Sequence, residues 1–167
     1  GHLVSGFISS NFPTVLKEQA QGKPENLSPG SIHKAYEQIF EMLYKGNVDI
    51  TYSGSTAITC LVQGQTVLSA NAGDSRAVVA YLDMNGRIAF QSLSNDHKPE
   101  LKDEAKRIHA LGGRIEPFKQ IDGNFYGPNR VWLANEDVPG LAMSRAIGDL
   151  VACSVGVTWK PEISEYT

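Results

Sequence analysis

The sequence predicts an α+β fold in which helices pack on antiparallel β-sheets. Apolar residues recur at helical spacing from position 28 to position 46, and the period changes to that of strands near position 54. Four strand-like segments follow, joined by turns as short as Gln63-Gly64-Gln65. Such short connections join antiparallel strands. Helices that flank an antiparallel sheet define the α+β class.

The first helix is expected over residues 3–17, with Leu3, Phe7 and Ile8 on its inward face. Pro13 lies inside this segment. Because proline has no N–H to donate and its ring clashes with the preceding turn, we expect a kink or a restart of the helix there.

The second helix has the clearest signals in the chain. Ser28 is a typical N-cap residue, Pro29 suits the first helical turn, and Gly46 ends the pattern. The apolar residues at helical spacing between them are Ile32, Ala35, Tyr36, Ile39, Phe40 and Leu43. A stripe of this kind is typical of a helix face buried in the core, not of a cofactor site.

The strands are expected at residues 55–63, 66–72, 76–82 and 87–94, as one antiparallel meander. A third helix should follow over residues 101–111 and end at Gly112, which would take the left-handed conformation of a C-terminal cap. The residues expected on the inward face of this helix are Leu101, Ala105, Ile108 and Leu111.

The segment of residues 114–129 is polar and Gly-rich and shows no clear period, which predicts an excursion over the surface. Residues 130–133 return to an apolar, strand-like pattern. Trp132 in this strand is expected to pack in the core.

The composition is that of one ordinary globular domain of 167 residues, with 41% hydrophobic residues and a net charge of −3. This charge and the lack of a basic stripe argue against nucleic-acid partners, and no apolar run reaches the roughly 18 residues that a membrane span needs. Cys60 and Cys153 are too few for a disulfide framework or a tetrahedral zinc cluster. We therefore expect an intracellular monomer, cytoplasmic or nuclear, without a membrane partner.

Asp74 follows an apolar, β-branched strand and stands directly after Gly73, which permits a tight backbone turn. A carboxylate at the end of a buried strand suits a divalent cation. The same residue also suits an Asx-turn, in which the carboxylate accepts a hydrogen bond from the backbone two residues on. The local pattern leaves both interpretations open.

Five short motifs occur in a fixed order around this position. They are Ser-Gly-Ser-Thr-Ala at 53–57, Gly-Asp-Ser-Arg at 73–76, Asp-His-Lys-Pro at 96–99, Gly-Gly at 112–113 and Leu-Ala-Met-Ser-Arg-Ala-Ile-Gly-Asp at 141–149. Together, over roughly residues 53–162, they resemble the metal-dependent Ser/Thr protein phosphatases of the PPM, or type-2C, family. Each motif alone is short and Gly-rich, whereas five in register are specific.

The resemblance implies a four-layer sandwich, with two antiparallel sheets face to face and helices outside. It also implies the hydrolysis of phosphoserine and phosphothreonine in phosphoprotein substrates, by a water held between two Mg²⁺ or Mn²⁺ ions. Asp74 would match a carboxylate at a third, weaker metal position beside those ions.

The family's other metal carboxylates have no match in this sequence, namely the acidic pair of the first strands, the Asp of a DGHG motif, a later Asp-Gly pair and a final Asp-Asn pair. We therefore interpret residues 1–167 as part of a catalytic domain whose N- and C-terminal catalytic motifs are absent. This chain alone is expected to carry no catalytic residue and to be inactive. Gly1 and His2 match either the segment that follows DGHG or the remnant of an expression tag.

The resemblance also places further residues near the site. The site-supporting candidates are Gly73, Ser75, Arg76, Ser144, Arg145, Gly148 and Asp149. Arg76 and Arg145 are interpreted as members of structural ion pairs rather than as phosphate ligands. Asp149 is expected in a turn or cap that supports residues 141–144, and His97 is expected to orient the entry to the next helix.

Residues 114–129 correspond to the family's flap beside the active site, and Phe125 and Tyr126 are the candidate substrate contacts within it. Two other functions stay open. One is a pseudophosphatase or regulatory binding domain of the same fold, which holds a phosphopeptide or regulator without turnover. The other is an unrelated α+β interaction domain.

Overall fold

The computed structural model describes residues 1–167 as an α+β fold, as predicted. The helices are α1 (His2–Gln19), α2 (Pro29–Lys45), α3 (Lys102–Ala110) and the short α4 (Leu150–Cys153). The strands are β1 (Gly54–Ser55), β2 (Ala57–Gln63), β3 (Thr66–Ala72), β4 (Val78–Leu82), β5 (Ile88–Ser92), β6 (Arg114–Lys119), β7 (Phe125–Trp132), β8 (Pro139–Leu141), β9 (Ile147–Gly148) and β10 (Glu162–Tyr166). No helix combines the length and the apolar character needed to cross a bilayer.

Helix α1 buries its predicted face only in part, since Ile8 is buried and Phe7 packs partly buried against the core as predicted, but Leu3 does not. Its buried residues are Val4, Ile8, Phe12, Val15 and Leu16. Leu3, predicted to face inward, is 61% exposed because a helical step of about 100° separates it from Val4. The helix continues through Pro13 without a restart. Packing against α2 accounts for this continuity, since Phe12 meets Tyr36 edge to face at 5.1 Å between ring centroids.

Helix α2 confirms the prediction at both ends. Ser28 is the N-cap, and its hydroxyl accepts a hydrogen bond from the Ser31 N–H at 3.3 Å while the Ser31 hydroxyl accepts one from the Ser28 N–H at 2.8 Å. The helix ends at Lys45, directly before Gly46. Its apolar stripe is buried against α1 and β3, in the larger of two cores.

The predicted four-stranded meander is wrong. Strands β2 and β3 form one hairpin and β4 and β5 form another, and no pairing joins β3 to β4. The second edge of β3 pairs with β10 instead, with Glu162 opposite Asn71. The reason is the loop after β3, which leaves the sheet at Gly73 and frees that edge for a strand from far along the chain.

Residues 114–129 are not an irregular excursion, because strands β6 and β7 form an antiparallel hairpin there. The register shifts between Glu116 and Phe118, where Pro117 has no N–H for a ladder hydrogen bond. The prolines and Gly127 therefore interrupt the alternation of apolar and polar residues, and the sequence shows no strand pattern there. Trp132 is buried as predicted, at the end of strand β7, and its indole N–H donates to the Glu116 carbonyl at 2.9 Å.

Helix α3 ends before Gly112, whose φ of 82° fits the predicted left-handed cap. Its inward face was predicted only in part, since Ile108 is buried as predicted, whereas Leu101 and Leu111 are exposed and Glu104 is buried instead. Glu104 tolerates burial because two arginines pair with it. Ile108 belongs to the second, smaller core.

Candidate functional site

Asp74 lies in the loop that follows the central strand of the β10–β3–β2 sheet. Gly73 turns the backbone there with a φ of 123°, a conformation that favours glycine. A Cβ at Gly73 would lie 2.3 Å from the Cγ2 atom of Thr56, so the residue directly before β2 packs closely against this turn. The hydroxyls of Thr56 and Ser75 share a hydrogen bond of 2.8 Å. Thr56 therefore contacts the loop on both sides of Asp74.

A second loop, residues 94–98, faces the Asp74 loop almost residue by residue, and we call it the opposing loop. The Lys98 ammonium donates to Asp74 Oδ2 at 2.5 Å, and the Arg76 guanidinium donates to both oxygens of Asp96 at 2.8 and 2.9 Å. The Ala77 N–H donates to Ser94 Oγ at 2.9 Å. The direction of the Asp74 carboxylate is therefore set by contacts between two loops.

His97 is the buried centre of the opposing loop, with 1% of its surface exposed. Its backbone N–H donates to the Gly73 carbonyl at 3.0 Å, and its ring Nδ1 lies 3.2 Å from the Gly73 nitrogen. Nε2 has no hydrogen-bond partner and lies 3.5 Å from a carboxylate oxygen of Glu162. Burial lowers the pKa of His97, which favours the neutral ring. His97 thus holds the Asp74 loop, rather than only orienting the next helix.

Glu104 is the residue near the site that sequence reasoning missed, since a lone Glu in a helix pattern gives no signal of burial. It is 5% exposed and receives Arg107 Nη2 at 2.6 Å, Arg145 Nη2 at 2.7 Å and the Ser144 hydroxyl at 2.6 Å. Burial opposes ionisation of Glu104, but the bonds from Arg107, Arg145 and Ser144 outweigh it and lower the pKa. Arg76 and Arg145 both lie in ion pairs.

Asp149 directly follows Gly148, which packs against the backbone of residues 53 and 54 so closely that a Cβ would lie 2.4 Å from the Ser53 carbonyl oxygen. Asp149 itself has a φ of 50° and is 8% exposed, and its carboxylate makes no hydrogen bond within the chain. Burial raises its pKa, and the Gly1 ammonium partly offsets this. Asp149 is the N-cap residue of α4, which confirms the predicted cap, but its backbone hydrogen bonds run to Ser53 and Cys153 and do not support residues 141–144.

Phe125 and Tyr126 begin strand β7 and are exposed. No hydrogen bond or ion pair links the β6–β7 hairpin to the Asp74 loop. The hairpin instead makes hydrogen bonds to residues 137–140, from Arg114 to the Asp137 carboxylate and from Arg130 to the Gly140 carbonyl. The substrate role of Phe125 and Tyr126 stays a prediction.

The sequence of this chain matches the model of one known protein family over its whole length. A model described as protein phosphatase 2C matches residues 1–167. This chain belongs to the protein phosphatase 2C family. The resemblance predicted from five short motifs is thereby confirmed.

Curated members of the protein phosphatase 2C family include two similar proteins of Arabidopsis thaliana. "Probable protein phosphatase 2C 35" is 38% identical over 181 residues, which cover 98% of this chain and 52% of that protein. "Probable protein phosphatase 2C 72" is 35% identical over 176 residues, which cover 99% of this chain and 52% of that protein. The chain thus spans about half the length of these relatives.

Two solved structures share the fold. The serine-threonine phosphatase 2C of Toxoplasma gondii superimposes with a TM-score of 0.73 at 20% identity, over 96% of this chain and 59% of its own. A sex-determining protein of C. elegans gives a TM-score of 0.72 at 20% identity, over 99% of this chain and 37% of its own. At this identity the two likenesses show the fold alone.

Within the protein phosphatase 2C fold, Asp74 is a suitable donor for Mg²⁺ or Mn²⁺, because both ions prefer carboxylate oxygens. No group of three or more His, Cys, Asp or Glu side chains converges in residues 1–167. Asp74 therefore fits the role of one ligand, while these residues by themselves do not form a complete metal site. Oxygen Oδ2 of Asp74 is held by Lys98.

Proposed function

We propose that the whole protein is a phosphoserine/phosphothreonine protein phosphatase that depends on Mg²⁺ or Mn²⁺. The family match over residues 1–167 carries this proposal. The ordered Asp74 loop supports it, because a carboxylate fixed at the end of a central strand can act as one metal ligand. When bound, the metal ions would supply an activated water and neutralise charge on the phosphate.

The residues of this chain would position the Asp74 carboxylate and would not transfer protons. Strand β3 presents Asp74, Gly73 permits the turn, and the contact between Thr56 and Ser75 holds the loop on the sheet. Arg76 is engaged by Asp96, so a structural role suits it better than a phosphate contact. We propose Phe125 and Tyr126 as substrate contacts, because they are exposed aromatic residues at one end of the β6–β7 hairpin.

The test is the hydrolysis of a phosphothreonine peptide by the whole protein with Mn²⁺, compared with its Asp74→Ala variant. We expect kcat to fall on the order of tenfold to 100-fold with KM little changed, because a lost metal ligand acts on the transition state more than on substrate binding. An unchanged kcat at saturating Mn²⁺ would remove Asp74 from the site. Peptide binding without any turnover by the wild type would instead favour the pseudophosphatase.

We also propose that the protein is an intracellular monomer, in the cytoplasm or the nucleus. Support comes from Cys60 and Cys153, which are both free thiols, as a reducing compartment would maintain them. Fluorescence microscopy of a tagged whole protein tests the location, and its mass in light scattering tests the monomer.

A further inference from the structure

We propose that Lys98 competes with divalent cations for the Asp74 carboxylate and so sets the metal affinity at this position. The inference rests on the proposed function, since it takes Asp74 as a metal ligand. It adds a residue that controls metal affinity but does not itself bind the metal.

The contact between the two side chains is short and partly shielded from water. Lys98 Nζ lies 2.5 Å from Asp74 Oδ2, and the side chains are 36% and 27% exposed. No other side chain donates a hydrogen bond to Asp74. A metal ion on this carboxylate would bring its charge close to the ammonium, and two positive charges repel strongly in a partly buried environment. Metal binding at Asp74 and the Lys98 contact therefore oppose each other.

The position of Lys98 is set by its neighbours in the opposing loop. On one side, the His97 N–H donates to the Gly73 carbonyl at 3.0 Å. On the other side, Pro99 is fully buried. These anchors hold the Lys98 backbone opposite Asp74 and give the ammonium a high local concentration there. The flexible four-carbon stem of lysine still allows the ammonium to swing away without backbone movement.

Two of the acids near Lys98 already have arginine partners. The Asp96 carboxylate receives both donors of Arg76, and Glu104 receives Arg107 and Arg145. A Lys98 ammonium displaced by a metal ion therefore finds no free carboxylate at Asp96 or Glu104. The loss of the Asp74 contact is then a direct cost of metal binding.

The experiment is a calorimetric titration of the whole protein with Mn²⁺, freed of metal beforehand. In Lys98→Met we expect Mn²⁺ to bind the Asp74-dependent site about fivefold more tightly, the size expected when a partly exposed ion pair no longer competes. Lys98→Arg keeps the charge and should bind no more tightly than the wild type. Lys102→Met is the matched control, because Lys102 lies near the same loop but makes no ion pair, and it should leave the affinity unchanged.

Asp74→Ala separates this inference from the proposed function. If Asp74→Ala loses one bound ion while Lys98→Met binds Mn²⁺ like the wild type, the competition is overturned and the metal-ligand role of Asp74 stands. If Asp74→Ala keeps every ion, the ligand role itself fails. Should Lys98→Met not fold, as judged by circular dichroism, Lys98→Gln gives the same comparison with a polar side chain. Equal tightening in Lys102→Met would also overturn the inference, since a general charge effect would then explain it.

Discussion

At Gly73 the backbone leaves strand β3 with a φ of 123°, and a Cβ there would lie 2.3 Å from Thr56 Cγ2. We expect Gly73→Ala to lower the free energy of unfolding by about 2 to 3 kcal/mol, because strained backbone and steric overlap act together. Gly64→Ala is the control, since φ there is 60° but nothing lies within 4 Å of a Cβ. Urea unfolding of both variants measures the difference, and equal losses would contradict the crowding at Thr56.

Asp149 is a buried carboxylate without a hydrogen-bond partner, and burial raises its pKa. Folding then favours the neutral acid, so this contribution to stability is present below the ordinary pKa of 3.8 and is lost as pH rises through the higher folded pKa. Asn keeps the uncharged state at every pH and tolerates the φ of 50°.

We therefore expect Asp149→Asn to stabilise the 167-residue chain at pH 7. The gain should shrink as the pH approaches 4, where the wild-type acid also becomes neutral. Urea midpoints of both proteins at matched pH values measure it, and all other titrating groups cancel in that comparison. A less stable Asp149→Asn at pH 7 would show that the carboxylate has an interaction partner.

At the scale of elements, helix α3 is joined to the segment of residues 144–145 through Glu104. Glu104→Gln would leave the mostly buried Arg145 without its carboxylate, and we expect a loss of about 3 kcal/mol in the free energy of unfolding. Glu41→Gln is the control in an exposed pair with Lys45, where a loss below about 0.5 kcal/mol is expected.

The contribution of Glu104 in helix α3 to the free energy of unfolding should also depend on pH. The pKa of Glu104 is lowered in the folded chain, so its contribution is complete above its ordinary value of 4.5 and is lost as pH falls through the folded pKa. The stability difference between wild type and Glu104→Gln should therefore shrink only in acid, below about pH 4.5. A difference that already shrinks between pH 8 and pH 6 would assign the effect to another group.

Local patterns predicted the elements whose stabilising contacts are close in sequence. The cap at Ser28 and the stripe that follows it predicted α2, and β3 has the predicted bounds. The pairing of β3 with β10 joins distant parts of the chain, and no local pattern encodes that register. In the same way the sequence indicated Asp74 as a candidate metal ligand. It did not indicate the contact of Asp74 with Lys98, because that contact depends on how two loops pack together.

At the scale of the whole molecule, the Asp74 loop lies at one end of the three-stranded β10–β3–β2 sheet. Strand β3 ends there with Ala72 opposite Ala57 of β2, and β10 begins there with Glu162 opposite Asn71. The Asp74 loop and the opposing loop close this end, and Glu162 accepts a hydrogen bond from Asn95 at 2.7 Å. The loop that presents Asp74 is thus supported by strands from both halves of the chain. A destabilising substitution in either half should therefore disturb this loop.

These strands and loops position only one candidate metal ligand, the Asp74 carboxylate. This leads to a prediction for the 167-residue chain alone. We expect no Mn²⁺-stimulated release of p-nitrophenol from p-nitrophenyl phosphate, because a single carboxylate does not hold Mn²⁺ against water and no cluster of ligands converges in these residues. The whole protein, assayed at equal concentration, is the positive control. Circular dichroism must show a folded chain, so that a missing rate reports missing ligands rather than unfolding. Clear turnover that rises with Mn²⁺ and disappears in Asp74→Ala would show instead that this chain assembles a metal site of its own.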